Sequence, residues 1–159
     1  MSFPVLKNPH PSLRQKSIAV DLGNLKDQAT QDFIDELMLT MKDERGIGIA
    51  APQVGRHDRI IIVENQGASA VFVNPKIISK SWRKMDSEEG CLSVPDVWGM
   101  VRRHRTVAVR GFDRFGEPME VKAEGLASCV FQHEIDHLDG ILFIDRMTRK
   151  ISQSAKADL

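Results

Sequence analysis

Apolar residues recur every three to four positions between Leu25 and Met41. Leu25, Ala29, Phe33, Leu37 and Met41 form one stripe, and Ile34 and Met38 widen it. That spacing predicts an amphipathic helix over 25–41, because residues four apart share a helix face. Asn24 and Asp27 are placed as a capping pair, and the helix is expected to stop before Gly46. The pattern then changes period. Residues 59–64, RIIIVE, form a β-branched run that reads as a strand. Residues 65–69 read as a turn, and 70–73 as a second strand ending at Asn74-Pro75. The stretch 76–86 is expected to be extended. Residues 106–109 and 119–123 read as the arms of a hairpin, with Gly116 in the turn between them. A second helix is predicted over 124–138, ended by Gly140 in a left-handed conformation.

The segments outside these elements carry weaker signals. Pro4, Pro9 and Pro11 predict an extended N-terminal arm packed at intervals on the surface. The tail after Met147 is polar and is expected to fray over 148–159, with Ile151 as its one strong anchor. Neither an internal repeat nor a linker interrupts the chain, so a single domain over 1–159 is expected. The order helix, strands, helix argues for an α+β fold, since few helices are available as crossovers for a parallel sheet.

Composition narrows the possibilities. With 159 residues, 42% of them hydrophobic and 28% charged, the chain has enough apolar material for one real core. Its 22 basic side chains balance 22 acidic ones. Composition therefore gives no support for wholesale nucleic-acid binding, although net charge is silent on local patches. No apolar run is long enough to span a bilayer, and MSFPVLKNPH lacks the basic start and apolar stretch of a signal peptide. A cytoplasmic location with no membrane partner is the expectation. Cys91 and Cys129 are expected to be free thiols rather than a disulfide scaffold.

The chemistry concentrates in VFQHEIDHLDG, residues 130–140. His133 and His137 lie four apart on the predicted second helix and can aim both imidazoles at one ion. Glu134 sits one position round, beside the ion rather than on it, where it can take a proton from a bound water. The opposing reading makes both histidines satisfied core residues, but an apolar helix face gains little from two imidazoles. A catalytic site also needs a third protein ligand and one open position. His10, His57, His104, the carboxylates and both thiols are candidates. Cys129 lies four residues before His133 yet also reads as core packing. Cys91 follows Gly90 in EGCLSVP, where the flanking residues are not obvious core, and is the favoured third ligand. A Cys, His, His set suits zinc or ferrous iron.

GIGIAAPQVG, residues 46–55, lacks the preceding strand that a dinucleotide-binding loop requires. Its small residues instead let another chain approach. Gln53 either offers an amide N–H to a ligand oxygen or bonds to a nearby turn.

Together GIGIAAPQVG, EGCLSVP and QHEIDHLDG resemble, in order and separation, the three signature segments of the peptide deformylases. The resemblance covers nearly the whole chain. It implies antiparallel β-sheets packed around a central helix that carries the HExxH motif, with an N-terminal helix. It implies a metal-dependent hydrolase that removes the formyl group from the N-terminal formylmethionine of nascent polypeptides at the ribosome, releasing formate. The implied metal ligands are Cys91, His133 and His137, with Glu134 as general acid and base. Gln53 and the Leu92 backbone N–H would hold the oxyanion. Ile47, Gly48 and Gly90 would bind the peptide main chain. The implied cofactor is one divalent ion, Fe²⁺ in the cell, replaceable by Zn²⁺, Ni²⁺ or Co²⁺.

A hydrophobic pocket for the methionine side chain is expected from Val130, Ile47 and Leu92, with core packing as the rival role for Val130. One departure stands out. Many members carry an arginine where this chain has Trp98, which bears on the outer pocket. Arg102, Arg103, His104 and Arg105 form either a basic rim or, as favoured, a solvated strand end. No direct nucleic-acid site is identified. The rival enzyme class is a metalloprotease cutting internal bonds, and the rival non-enzyme is a structural metal module with four protein ligands.

Overall fold

The computed structural model describes residues 1–151. Two helices and eight strands order the described chain: α1 Gln28–Asp43, β1 Gly48–Ala50, β2 Ile60–Asn65, β3 Ala68–Lys80, β4 Lys84–Cys91, β5 Val94–His104, β6 Thr106–Phe112, β7 Pro118–Glu124, α2 Leu126–Leu138 and β8 Met147–Ile151. Single 3-10 or α-helical turns at Pro11–Arg14, Leu22–Asn24, Ala51–Val54 and Phe143–Arg146 complete the set. The strands form a five-stranded sheet, β1-β2-β3-β6-β7, and a three-stranded sheet, β4-β5-β8. Every pairing between these strands is antiparallel. The fold is α+β, as expected.

The unbroken apolar run of β2 has a clear cause. Side chains alternate across a strand. Ile61 and Val63 face a core shared with Val130, Phe131, Ile135 and Leu138 of α2. Ile60 and Ile62 face the opposite core, shared with Phe33, Ile34, Leu37 and Met41 of α1. One end of the larger sheet is thus covered on both sides, which removes any polar alternation. The helix α2 is buried continuously from Ser128 to Leu138. It packs against β1, β2, β6 and β7 of one sheet and β5 of the other.

Three expectations need correction. The first helix begins at Gln28, after a separate 3-10 turn at Leu22–Asn24, and Asp27 occupies its N-cap without a side-chain cap bond. The second strand does not end at Asn74-Pro75. It continues to Lys80 through a register shift between Val73 and Lys76, where Asn74 adopts φ 51°. The Asn74 side chain there accepts from the Val20 N–H at 2.8 Å and donates to the Val20 carbonyl at 3.0 Å, tying the kink to the N-terminal segment. The expected fraying from residue 148 is also wrong at its start. Residues 147–151 form β8, because the edge of β5 offers unpaired backbone groups that this segment satisfies. The rest of that expected tail, 152–159, lies outside the described residues.

Candidate metal centre

Cys91 ends β4, and only Leu92 and Ser93 separate it from its cross-strand partner Val94. The tight hairpin presents the thiol to the middle of α2. Ligand atoms of Cys91, His133 and His137 all lie within 4.8 Å of one another, and all three residues are buried. The Cys91 Sγ stands 3.3 Å from His137 Nε2. Cys129, the other thiol, is buried and free but outside this cluster, on the side of the helix packed in the core.

The structure supplies what sequence spacing lacked, a group that orients the first histidine. Glu89 shares the inward face of β4 with Cys91, two residues on. Its carboxylate accepts from His133 Nδ1 at 3.0 Å, which leaves Nε2 directed at the cluster. Arg103 grips the same carboxylate with Nε at 2.8 Å and Nη2 at 3.0 Å. Through Nη1 it also donates to Asp136 at 2.7 Å, and Asp136 accepts from Arg146 at 2.8 and 3.1 Å. Burial would raise the Glu89 carboxyl, but the hydrogen bonds and charges of His133 and Arg103 prevail and hold it at about 2. Arg103 is therefore no part of a basic rim: it is 3% exposed and buried behind the ligands. Sequence reading missed Glu89, Asp136 and Arg146. The available signal was the i, i+2 relation of Glu89 to Cys91 on one strand face.

Burial pushes the Glu134 carboxyl up to about 7, against the pull of the nearby His133 charge. For His133 burial works downward, yet the neighbouring Cys91 and the Glu89 carboxylate raise it well above 6.5. Burial and the charge on His133 drive His137 well below that value, which keeps its ring neutral. Buried His133 Nε2 and both Glu134 carboxylate oxygens have no hydrogen-bond partner among the described residues. Buried polar atoms of this kind fit a divalent ion and its water far better than an apolar core. The donor set of one sulfur and two ring nitrogens fits the ion expected from sequence.

Gln53 lies in the 3-10 turn after β1. Its Oε1 accepts from the Ala50 N–H at 2.9 Å, so its amide nitrogen must turn the other way. That nitrogen lies 3.7 Å from Cys91 Sγ and 3.2 Å from Ser93 Oγ. Gly48 stands directly against Glu134: a Cβ there would come within 2.4 Å of Oε1. Leu92 is buried and its side chain lies against Gly46, while Gly90 is buried in β4. Ile47 and Val130 line a common cavity of about 220 Å³, together with Leu126 and Ala127. Leu92 does not line it. Trp98 sits within β5 opposite Ile151 and is buried, at 5% exposure.

The rest of the arginine cluster is partnered. Arg102 meets Asp86 at 3.2 Å and Arg105 meets Glu124 at 3.6 Å. His104 Nδ1 bonds to the Ser81 carbonyl at 2.8 Å. Among the described residues, no helix is long and apolar enough to cross a membrane.

A sequence profile of the family described as polypeptide deformylase matches residues 2–153. Peptide deformylase 2 of Xanthomonas axonopodis pv. citri is 42% identical over 149 residues, covering 92% of this chain and 87% of that protein. Peptide deformylase of Desulforudis audaxviator is 42% identical over 147 residues, covering 92% and 94%. Among solved structures, a Met-Ala-Ser-bound class I type b peptide deformylase from Acinetobacter baumannii superposes with a TM-score of 0.88 at 36% identity, covering 92% of this chain and 99% of that one. The matched span contains the buried Cys, His, His cluster and the carboxylate beside it, and the chain belongs to the peptide deformylase family, metal-dependent hydrolases that remove the formyl group from N-terminal formylmethionine.

Proposed function

We propose that this chain deformylates N-formylmethionyl peptides at a centre in which Cys91, His133 and His137 hold one divalent ion. The observation that carries this reading is the convergence of three buried ligand atoms beside two unpartnered carboxylate oxygens of Glu134. Such an ion, when bound, supplies Lewis acidity at the formyl oxygen and lowers the pKa of a water in its open position. Ferrous iron is the ion proposed for the cell, with zinc, nickel or cobalt able to replace it.

Glu134 is the proton carrier. It takes a proton from the attacking water as the new C–O bond forms at the formyl carbon. It then delivers that proton to the methionine nitrogen as the C–N bond breaks, leaving formate and a free amine. Gln53 Nε2 and the Leu92 N–H donate to the oxygen that gains charge in between. One donor of this kind contributes about 3 kcal/mol to the transition state. Glu89 and Arg103 do no chemistry on the substrate; they keep the His133 ring in one tautomer and one orientation.

The peptide binds as an added strand. β1 is the edge of the larger sheet and β4 the edge of the smaller one, so Gly48 and Gly90 lie on edge strands, with Ile47 just before β1. The methionine side chain enters the cavity lined by Ile47 and Val130. The Acinetobacter relative holds Met-Ala-Ser, the peptide left once formyl-Met-Ala-Ser is deformylated. Nascent chains in the cytoplasm are the proposed substrates.

Formate release from formyl-Met-Ala-Ser by anaerobically purified protein, paired with metal analysis, tests the reading. One equivalent of divalent metal and turnover of the formylated peptide alone are expected. Equal cleavage of the acetylated or unmodified peptide, or preference for an internal bond, would favour a metalloprotease instead.

A further inference from the structure

The equal numbers of acidic and basic side chains conceal an uneven surface. The connection between β3 and β4 reads Lys80-Ser81-Trp82-Arg83-Lys84. Trp82 is 95% exposed, although large aromatic side chains are normally covered at least in part. Its ring has no aromatic or cation partner among the described residues.

The backbone beneath it is fastened. The Ser81 N–H donates to the Thr106 carbonyl at 2.8 Å, and the Arg105 N–H donates to the Arg83 carbonyl at 3.0 Å. The Ser81 hydroxyl donates to the Arg83 carbonyl at 2.7 Å and accepts from the Thr106 N–H at 3.0 Å. A rigid tip therefore holds an indole out in solvent.

Cations surround it. A cavity of about 330 Å³ next to the tip is lined by Lys80, Lys84, Arg102 and Arg146, with Asp136 also on its wall. A second surface hollow, sharing Lys80, adds Lys122. The carboxylates within reach are already engaged. Asp86 meets Arg102, Glu124 meets Arg105, and Asp136 is shared by Arg103 and Arg146. Lys80, Arg83, Lys84 and Lys122 have no ion-pair partner among the described residues.

A flat aromatic face on a rigid tip, flanked by unpaired cations, is the arrangement that holds single-stranded nucleic acid: bases stack while phosphates meet lysine and arginine. We propose that the β3–β4 connection, which crosses from one sheet to the other, and its flanking hollows form a docking site for single-stranded RNA, with Trp82 stacking an unpaired base. A membrane surface fits less well, because Ile78 near the end of β3, at only 38% exposure, is the one other exposed large apolar side chain close to this connection in the described chain. An acidic peptide would use the cations but gives an isolated indole nothing to stack on. The inference goes beyond deformylation and does not depend on the ligand assignments.

Titrating the metal-loaded protein with a labelled oligouridylate of about twelve nucleotides tests it. Binding at low salt that weakens as salt rises is expected, with quenching of the exposed indole. Trp98 is buried, so the quenching reports Trp82. Trp82→Ala should weaken binding roughly fivefold or more, Trp82→Phe should retain most of it, and Lys80→Glu/Lys84→Glu should abolish it. Turnover of free formyl-Met-Ala-Ser should not change in any of these variants. Absence of binding at low salt, or affinity unaffected in both Trp82→Ala and the charge reversal, would overturn the proposal. So would tighter binding to phosphatidylglycerol vesicles or to polyglutamate than to the RNA.

Discussion

Gly48 and Glu134 occupy adjoining space that only a glycine leaves open. A Cβ at position 48 would lie 2.4 Å from Glu134 Oε1 and 2.9 Å from its carboxyl carbon. The glycine proposed to let a peptide strand approach β1 also makes room for the carboxylate.

Gly48→Ala should therefore displace Glu134 and slow turnover without emptying the metal site. Its effect should approach that of Glu134→Ala, for which a fall of roughly 10²- to 10⁴-fold in kcat is expected. Metal content and kcat measured side by side decide the point. A Gly48→Ala enzyme of full activity would show that the carboxylate has room to spare.

Glu89→Gln keeps the shape of the side chain but removes the charge that fixes His133. Metal affinity should drop roughly 10- to 100-fold, read by competition with a chelating dye. The same variant bears on acid stability. The native Glu89 carboxyl is lowered from an ordinary 4.5 to about 2, so its ionisation favours the folded state. That stabilisation is fully present above the unfolded value and is lost as pH falls toward about 2. Circular dichroism of metal-free protein should find wild type losing stability across this window, and Glu89→Gln losing less. Parallel acid curves would refute the coupling.

Arg103→Met should be among the most damaging substitutions away from the ligands. It strips Glu89 of its guanidinium and leaves Asp136 with Arg146 alone, while Glu89 is fully buried. Breaking a buried pair in this way typically costs about 3–5 kcal/mol. Denaturant unfolding should record a loss of that size, whereas Arg102→Met, at an exposed pair, should change stability by less than about 1 kcal/mol.

Chelation should abolish turnover and lower the melting temperature, because the ion proposed for Cys91, His133 and His137 would find their ligand atoms gathered only in the folded chain. The imidazole of His133 is raised well above 6.5 when no ion is present, so its Nε2 must give up a proton to become a ligand. Metal affinity should accordingly weaken as pH falls, with protons released on binding. Isothermal titration in buffers of different ionisation enthalpy measures that release; zero release would contradict it.

Much of this molecule was readable in one dimension. The i, i+4 spacing of His133 and His137 follows from helix geometry, so a metal-binding helix face could be drawn from sequence. The β-branched run of β2 and the Gly116 hairpin declared themselves through local preference. The neighbours of Cys91 set it apart from Cys129 as a candidate ligand, and the fold places Cys91 in the cluster. The errors fell where non-local contacts outweigh local preference. Asn74-Pro75 read as a strand end, yet side-chain bonds to Val20 carry the strand through it. Polar residues 148–150 looked frayed, yet β5 recruits them as a strand.

Sequence by itself determined the chemistry: which residues can bind an ion, which can carry a proton, and which local periods they sit in. Only tertiary structure decided what surrounds them. Arg103 looked like one of three surface arginines and proved to be the buried partner of Glu89, while Arg102 and Arg105 stayed outside. Lys80 and Lys122, 42 positions apart in the chain, line one hollow beside Trp82. Covalent spacing fixes the geometry of residues within one helix turn or one strand. Burial and long-range charge depend on which distant segments pair, and that is settled by the packing of the whole core.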